Sequence, residues 1–301
     1  MSAVREFLAA LLAARVEPAA VRWSSESANE IASGAPYARF AALNSIASRH
    51  MPRRALAPSA NEIAQAFDLV EGWNPERWTV LECARVLLVL SRRNLAEKSA
   101  VDAIDEAFRF ADIGEMCALH RSLAFLPEPK RFVWRAGEGC RSSMRAVFEA
   151  AACDTPFPAQ NFDDLGWRQL VIKALFVEAP LWRVYGLDSR LDAELARMAL
   201  DLAEERRAAG RNVQHELWLA LGKFGGKRGL ESIERELAGS NRLGRRAAAI
   251  ALARAGEVSR LSALCQQEKD PLVAETMRSA LKGRIQPSAF RDLDPSAAKS
   301  S

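Results

Sequence analysis

Asn241-Arg242-Leu243-Gly244-Arg245-Arg246-Ala247-Ala248-Ala249-Ile250-Ala251-Leu252-Ala253-Arg254-Ala255-Gly256 reads as one complete helix. Asn241 offers a side-chain oxygen to the free N–H groups of the first turn, and Gly256 allows the left-handed residue that ends a helix. Its Ala-Leu pair at 251–252 recurs at 220–221 and 280–281. The three pairs sit in helical patterns opened by Asn212, Asn241 and Asp270, and each is followed by a glycine-bearing turn at Gly225-Gly226, Gly256 or Gly283. Shorter second helices fit 230–238 and 258–267. A helix pair about every 30 residues is the signature of HEAT-like repeats, in which each pair buries its apolar face against the next.

Composition extends this reading to the whole chain. There are 55 alanines among 301 residues, against 16 valines, 9 isoleucines and 3 threonines. Alanine is the strongest helix former and the β-branched residues favour strands. The expected fold is all-α: a right-handed α-solenoid of helix hairpins with HEAT-like repeats in the C-terminal third. Four regions are expected: a helical region at 1–135, a core at 136–211, helix pairs at 212–286 and a tail at 287–301. Composition excludes doubly wound and barrel enzymes, which need long strands.

Local signals agree along the chain. Val4, Phe7, Leu8, Leu11 and Leu12 form one helical face. Ser59 and Glu62 form a capping box, as do Ser99 and Asp102. Asn74-Pro75 is expected to start the helix that carries the apolar run 86–90. Pro127, Pro129, Gly137 and Gly139 read as a break between the N-terminal region and the rest.

The net charge of +4 and pI near 8.9 fit an anionic ligand but are too mild for a nucleic-acid-binding protein. No stretch reaches the roughly 18 apolar residues that cross a membrane. The N-terminal apolar run is broken by Arg15 and Glu17, so it reads as a helix and not a signal peptide. Five cysteines without disulfide-like spacing indicate a cytoplasmic protein.

Catalytic motifs fail one by one. His215-Glu216-Leu217-Trp218-Leu219 lacks the second histidine of a zinc-protease helix, and Cys117 with His120 makes only two potential ligands. No metal and no cofactor are expected. Gly222-Lys223-Phe224-Gly225-Gly226-Lys227-Arg228 lacks the Ser or Thr of a phosphate loop and follows a helix.

A candidate ligand site remains. In Gly137-Glu138-Gly139-Cys140-Arg141-Ser142-Ser143, Ser142 or Ser143 is placed to cap the next helix beside Arg141, an anion-binding arrangement. Asp154-Thr155-Pro156-Phe157-Pro158-Ala159-Gln160-Asn161-Phe162 reads as a stiff loop, because its prolines oppose a helix. Gln160 and Asn161 are available there as polar groups. The helix over 167–177 is apolar nearly all round yet holds Lys173, with Gln169 one turn earlier. Lys173 either snorkels to solvent or lies buried against Asp154 or Asp188. Arg197 lies one turn from Glu194, where a surface ion pair is the simplest outcome.

The chain resembles the EboA-domain family over 138–218. The resemblance is carried by Val147-Phe148-Glu149-Ala150, by Pro156-Phe157-Pro158-Ala159-Gln160-Asn161-Phe162 and by Gln169-Leu170-Val171-Ile172-Lys173-Ala174-Leu175-Phe176. It continues through Gly186-Leu187-Asp188, Glu194-Leu195-Ala196-Arg197-Met198, 204–211 and Glu216-Leu217-Trp218. The resemblance implies a protein of a small bacterial secondary-metabolite cluster. Its implied partners are a small metabolite and proteins of the same cluster. The expected function is that of a non-catalytic accessory protein in metabolite traffic, binding one of these during synthesis or export. The alternative is an enzyme acting on a phosphorylated or prenylated small molecule in a cationic pocket around Lys173.

Overall fold

Helix-forming residues leave no room for a sheet. The computed structural model describes residues 2–293, and among them the only strand-like feature is an isolated bridge between Ala55 and Thr79. None of these helices is long and apolar enough to cross a membrane. The chain divides into two compact units, Met1–Gly166 and Trp167–Ser301. That divide falls inside the stretch 136–211 expected to form one core.

The first unit contains α1 (Ser2–Ala13), α2 (Pro18–Ala32), α3 (Tyr37–His50), α4 (Ala60–Leu69) and α5 (Val80–Leu90). It continues with α6 (Lys98–Phe110), α7 (Ile113–Ser122), α8 (Val133–Arg141), α9 (Arg145–Ala152) and α10 (Phe157–Asn161). α5 is its axis. Every α5 residue but Glu82 is buried, and α1, α2, α3 and α7 pack around it. A helix this apolar is stable only in such a place, and its buried cation, Arg85, is paired with Glu115 at 3.4 Å. α1 buries the five residues its periodicity selects: Val4, Phe7, Leu8, Leu11 and Leu12.

Capping follows the sequence in part. Ser59 and Glu62 form the expected box at α4. Asn74-Pro75 opens only a 3-10 turn, and α5 begins after a separate box made by Thr79 and Glu82. The expected box at Ser99 does not form: α6 starts two residues earlier than that box would place it, with Glu97 at its cap position.

The second unit holds α11 (Asp164–Phe176), most of which lies in it, and α12 (Ala193–Ala208). α13 (Gly226–Leu237), α14 (Arg242–Arg254), α15 (Val258–Gln267) and α16 (Pro271–Leu281) follow. α14 is its centre, with Ala247 through Ala253 all buried. Asn241 and Asp270 cap α14 and α16 as expected. The helix expected after Asn212 is instead a 3-10 segment, His215–Ala220, buried from Glu216 onward and halted where Gly222 takes φ +46°. α11 is apolar over much of its surface but is not buried all round, since Leu165, Gln169 and Phe176 are exposed. Of the expected tail, Pro287–Leu293 is a 3-10 helix that buries Phe290 and Leu293; 294–301 lie outside the described residues.

Candidate functional site

Two glycines shape a cavity in the first unit. Gly137 and Gly139 lie inside α8, where each costs about 1 kcal/mol of helix stability relative to alanine. They were expected in a loop because glycine usually breaks helices. Packing reverses that preference. A Cβ at 139 would stand 2.6 Å from His120 Cε1 and 2.7 Å from Ala151 Cβ. One at 137 would stand 3.1 Å from Arg141 Nη1. The first glycine therefore makes room for the Arg141 guanidinium, folded back along its own helix, and the second for the His120 ring of α7.

Around them is a cavity of about 270 Å³, lined by Phe108, Met116, His120, Arg135, Glu138, Gly139, Arg141, Ser142 and Val147. The His120 ring is 4% exposed and lies 4.8 Å from Phe108, ring centre to ring centre. Its Nδ1 is buried with no hydrogen-bond partner. Burial, and then the charge of Arg135, push its pKa down to about 4, so the imidazole is neutral at pH 7. Arg135 donates to Asp105 Oδ1 at 2.6 Å and to Glu138 Oε2 at 3.3 Å. Arg141 is exposed and, among the described residues, pairs with no carboxylate.

Gly139→Ala should destabilise the protein by about 1–3 kcal/mol, because neither the buried ring nor Ala151 can retreat. Gly137→Ala meets only a flexible guanidinium and should be neutral or slightly stabilising. Chemical denaturation of both variants checks the contrast; equal effects would contradict this account of the two glycines.

The sequence-selected residues fall in different places. Arg141, Ser142, Asp154, Gln160 and Asn161 belong to the first unit; Gln169, Lys173, Asp188 and Arg197 belong to the second. Only Arg141 and Ser142 line the cavity. Ser142 does not cap a long helix start, because α8 runs on to Arg141; its Oγ accepts from Met144 N at 3.1 Å. The stiff loop contains a helix: Pro156 and Pro158 occupy the cap and first turn of α10, where no N–H is needed. α10 packs on α8 and α9. Asn161 donates to its own Phe157 carbonyl at 2.8 Å, and Gln160 is exposed. Asp154 is buried with φ +58°, and its carbonyl accepts from Asn74 N at 3.1 Å.

In the second unit, Lys173 is half-buried, with its ammonium 5.3 Å from the centre of the exposed Phe176 ring. No carboxylate pairs with it among the described residues. Asp188, expected as a partner, is taken by Arg254. Gln169 is exposed, and Arg197 is held on the surface by Glu194 and Asp201, both at 2.6 Å.

Sequence reasoning missed His120, Arg135, Glu138 and the apolar wall. In sequence, His120 offers only a two-ligand pattern with Cys117. Its depressed basicity arises from burial under α8 and α9, which no local motif encodes. No group of three or more potential ligands that could hold a metal occurs among the described residues.

The model of a family described as metabolite traffic protein EboA matches residues 4–222, well over half of the chain and including every residue of the cavity. No curated protein and no solved structure matches.

Proposed function

We propose that this chain, which belongs to the EboA family, binds a small metabolite in the His120 cavity and hands it on without transforming it. The carrying observation is a buried neutral imidazole with an unpartnered nitrogen, in a cavity with an arginine at its rim. Such a site is suited to holding a ligand. His120, Cys117 and Cys140 are tuned away from catalysis at neutral pH. Burial lowers His120 to about 4 and raises the Cys117 and Cys140 thiols to about 11 and 12. A general base or thiolate nucleophile needs a pKa near the working pH.

The hairpins of the second unit supply a second surface, beyond the family match. α13 to α16 are joined by short turns, and the caps Asn241 and Asp270 repeat at about 30 residues, which supports a HEAT-like reading. A groove of about 880 Å³ runs over Leu237, Leu264 and Met277, with the pairs Arg245–Glu268 and Arg260–Glu234 at its edge. We read it as the docking face for a protein of the same biosynthetic cluster.

The test is purification from the native host, with mass spectrometry of what accompanies the full chain. The reading predicts a small organic molecule in near-stoichiometric amount, lost from Met116→Trp, which fills the cavity. The same sample reports any cluster protein that travels with it. A wild-type protein that carries no small molecule, or a Met116→Trp variant that retains it, would overturn the reading.

A further inference from the structure

We propose that the ligand of this cavity is a small monocarboxylate with an apolar body of about one ring. The inference rests on the cavity being the binding site and adds the chemical class of what it holds.

Charge is the first argument. The lining has two guanidinium groups, and they differ. Arg135 is committed to Asp105 and Glu138, whereas Arg141 has no carboxylate partner among the described residues. Its planar fork matches a carboxylate bidentately. Glu138 stands on the same rim and repels a dianion, so a singly charged group is favoured over a phosphate monoester.

Hydrogen bonding is the second. The His120 Nδ1 is buried without a partner, and native proteins seldom leave such an atom unsatisfied. A neutral imidazole offers one donor and one acceptor, so it suits a hydroxyl or carbonyl on the ligand without adding charge.

Shape is the third. Phe108, Met116 and Val147 supply apolar walls, so the body of the ligand must be apolar. The volume of about 270 Å³ is at the small end for ligand pockets and excludes nucleotides and long chains.

The probes are benzoate, its neutral isostere benzamide, and phenyl phosphate, titrated into the full chain. The imidazole Cε1–H resonance of His120, identified by its absence in His120→Gln, reports occupancy of the cavity, and calorimetry gives affinity. Benzoate should shift that resonance and bind at least tenfold more tightly than benzamide and more tightly than phenyl phosphate. Arg141→Met should bring benzoate down to the benzamide level, with the melting temperature unchanged because Arg141 is exposed. Benzamide binding as well as benzoate, or phenyl phosphate binding more tightly, would overturn the carboxylate assignment while leaving the cavity as the binding site. If none of the three moves His120, the cavity reading fails with it.

Discussion

Glu82→Ala should destabilise the protein by about 4 kcal/mol. Glu82 works at both oxygens. Oε2 accepts from Thr79 N at 2.7 Å and Thr79 Oγ1 at 2.9 Å, and Oε1 accepts from Arg121 Nε at 3.0 Å. The first set caps α5, the axis of the first unit, and losing a cap costs about 1 kcal/mol. The second neutralises Arg121, which is 8% exposed and stacks over the buried Trp78 ring at 5.4 Å. Removing one partner of a buried pair costs about 3–5 kcal/mol, because the remaining charge is stranded. Small domains have only about 5–15 kcal/mol in all. Glu82→Gln keeps an acceptor for the cap and should lose less. Urea denaturation separates the variants; a loss under about 1 kcal/mol for Glu82→Ala would refute this role.

Acidification from pH 7 to pH 4 should remove about 3 kcal/mol through His120 alone. The unfolded imidazole takes up a proton near the ordinary histidine value of 6.5, whereas the folded one resists until about 4. Between those values the unfolded state binds more protons, so stability falls as pH falls. Below about 4 this contribution is flat. The span of about 2.5 units at 1.36 kcal/mol each sets the magnitude. Glu62, held down to about 2 by Arg15, begins to lose its contribution as pH falls toward 4.5, the ordinary glutamate value. Glu30, Glu194 and Glu204 are likewise held low by arginines, so melting curves between pH 7 and about 5.5, above the range where free carboxyls take up protons, report chiefly on the imidazole. His120→Gln should flatten the slope in that window; an unchanged slope would mean that His120 does not resist protonation.

The helices were more legible than the site because periodicity and caps are local. The spacing of Val4 to Leu12 marked the buried face of α1, and Asn241 and Asp270 marked two helix starts, since the forces involved act within one or two turns. Gly139 lies in a helix for a reason distant in sequence, since the His120 ring 19 residues away needs the missing Cβ, whereas Gly137 meets only Arg141 of its own helix. Pro156 and Pro158 misled because a first turn tolerates what a helix interior does not. Arg141 was found by its charge. The spacing of His120 and Cys117 suggests only a metal pair, whereas the chemistry of His120 comes from burial. Lys173 drew attention as a charge in an apolar run, yet a long stem lets such an ammonium reach an exposed ring at the helix end.

The most direct test of the central claim is a ligand-bound structure of the protein purified from its native host. The account predicts density for a small molecule between Phe108, His120 and Arg141, with a polar group against the imidazole and an acidic group on the guanidinium. Density in the C-terminal groove at Leu237, Leu264 and Met277, with the His120 cavity empty, would contradict it.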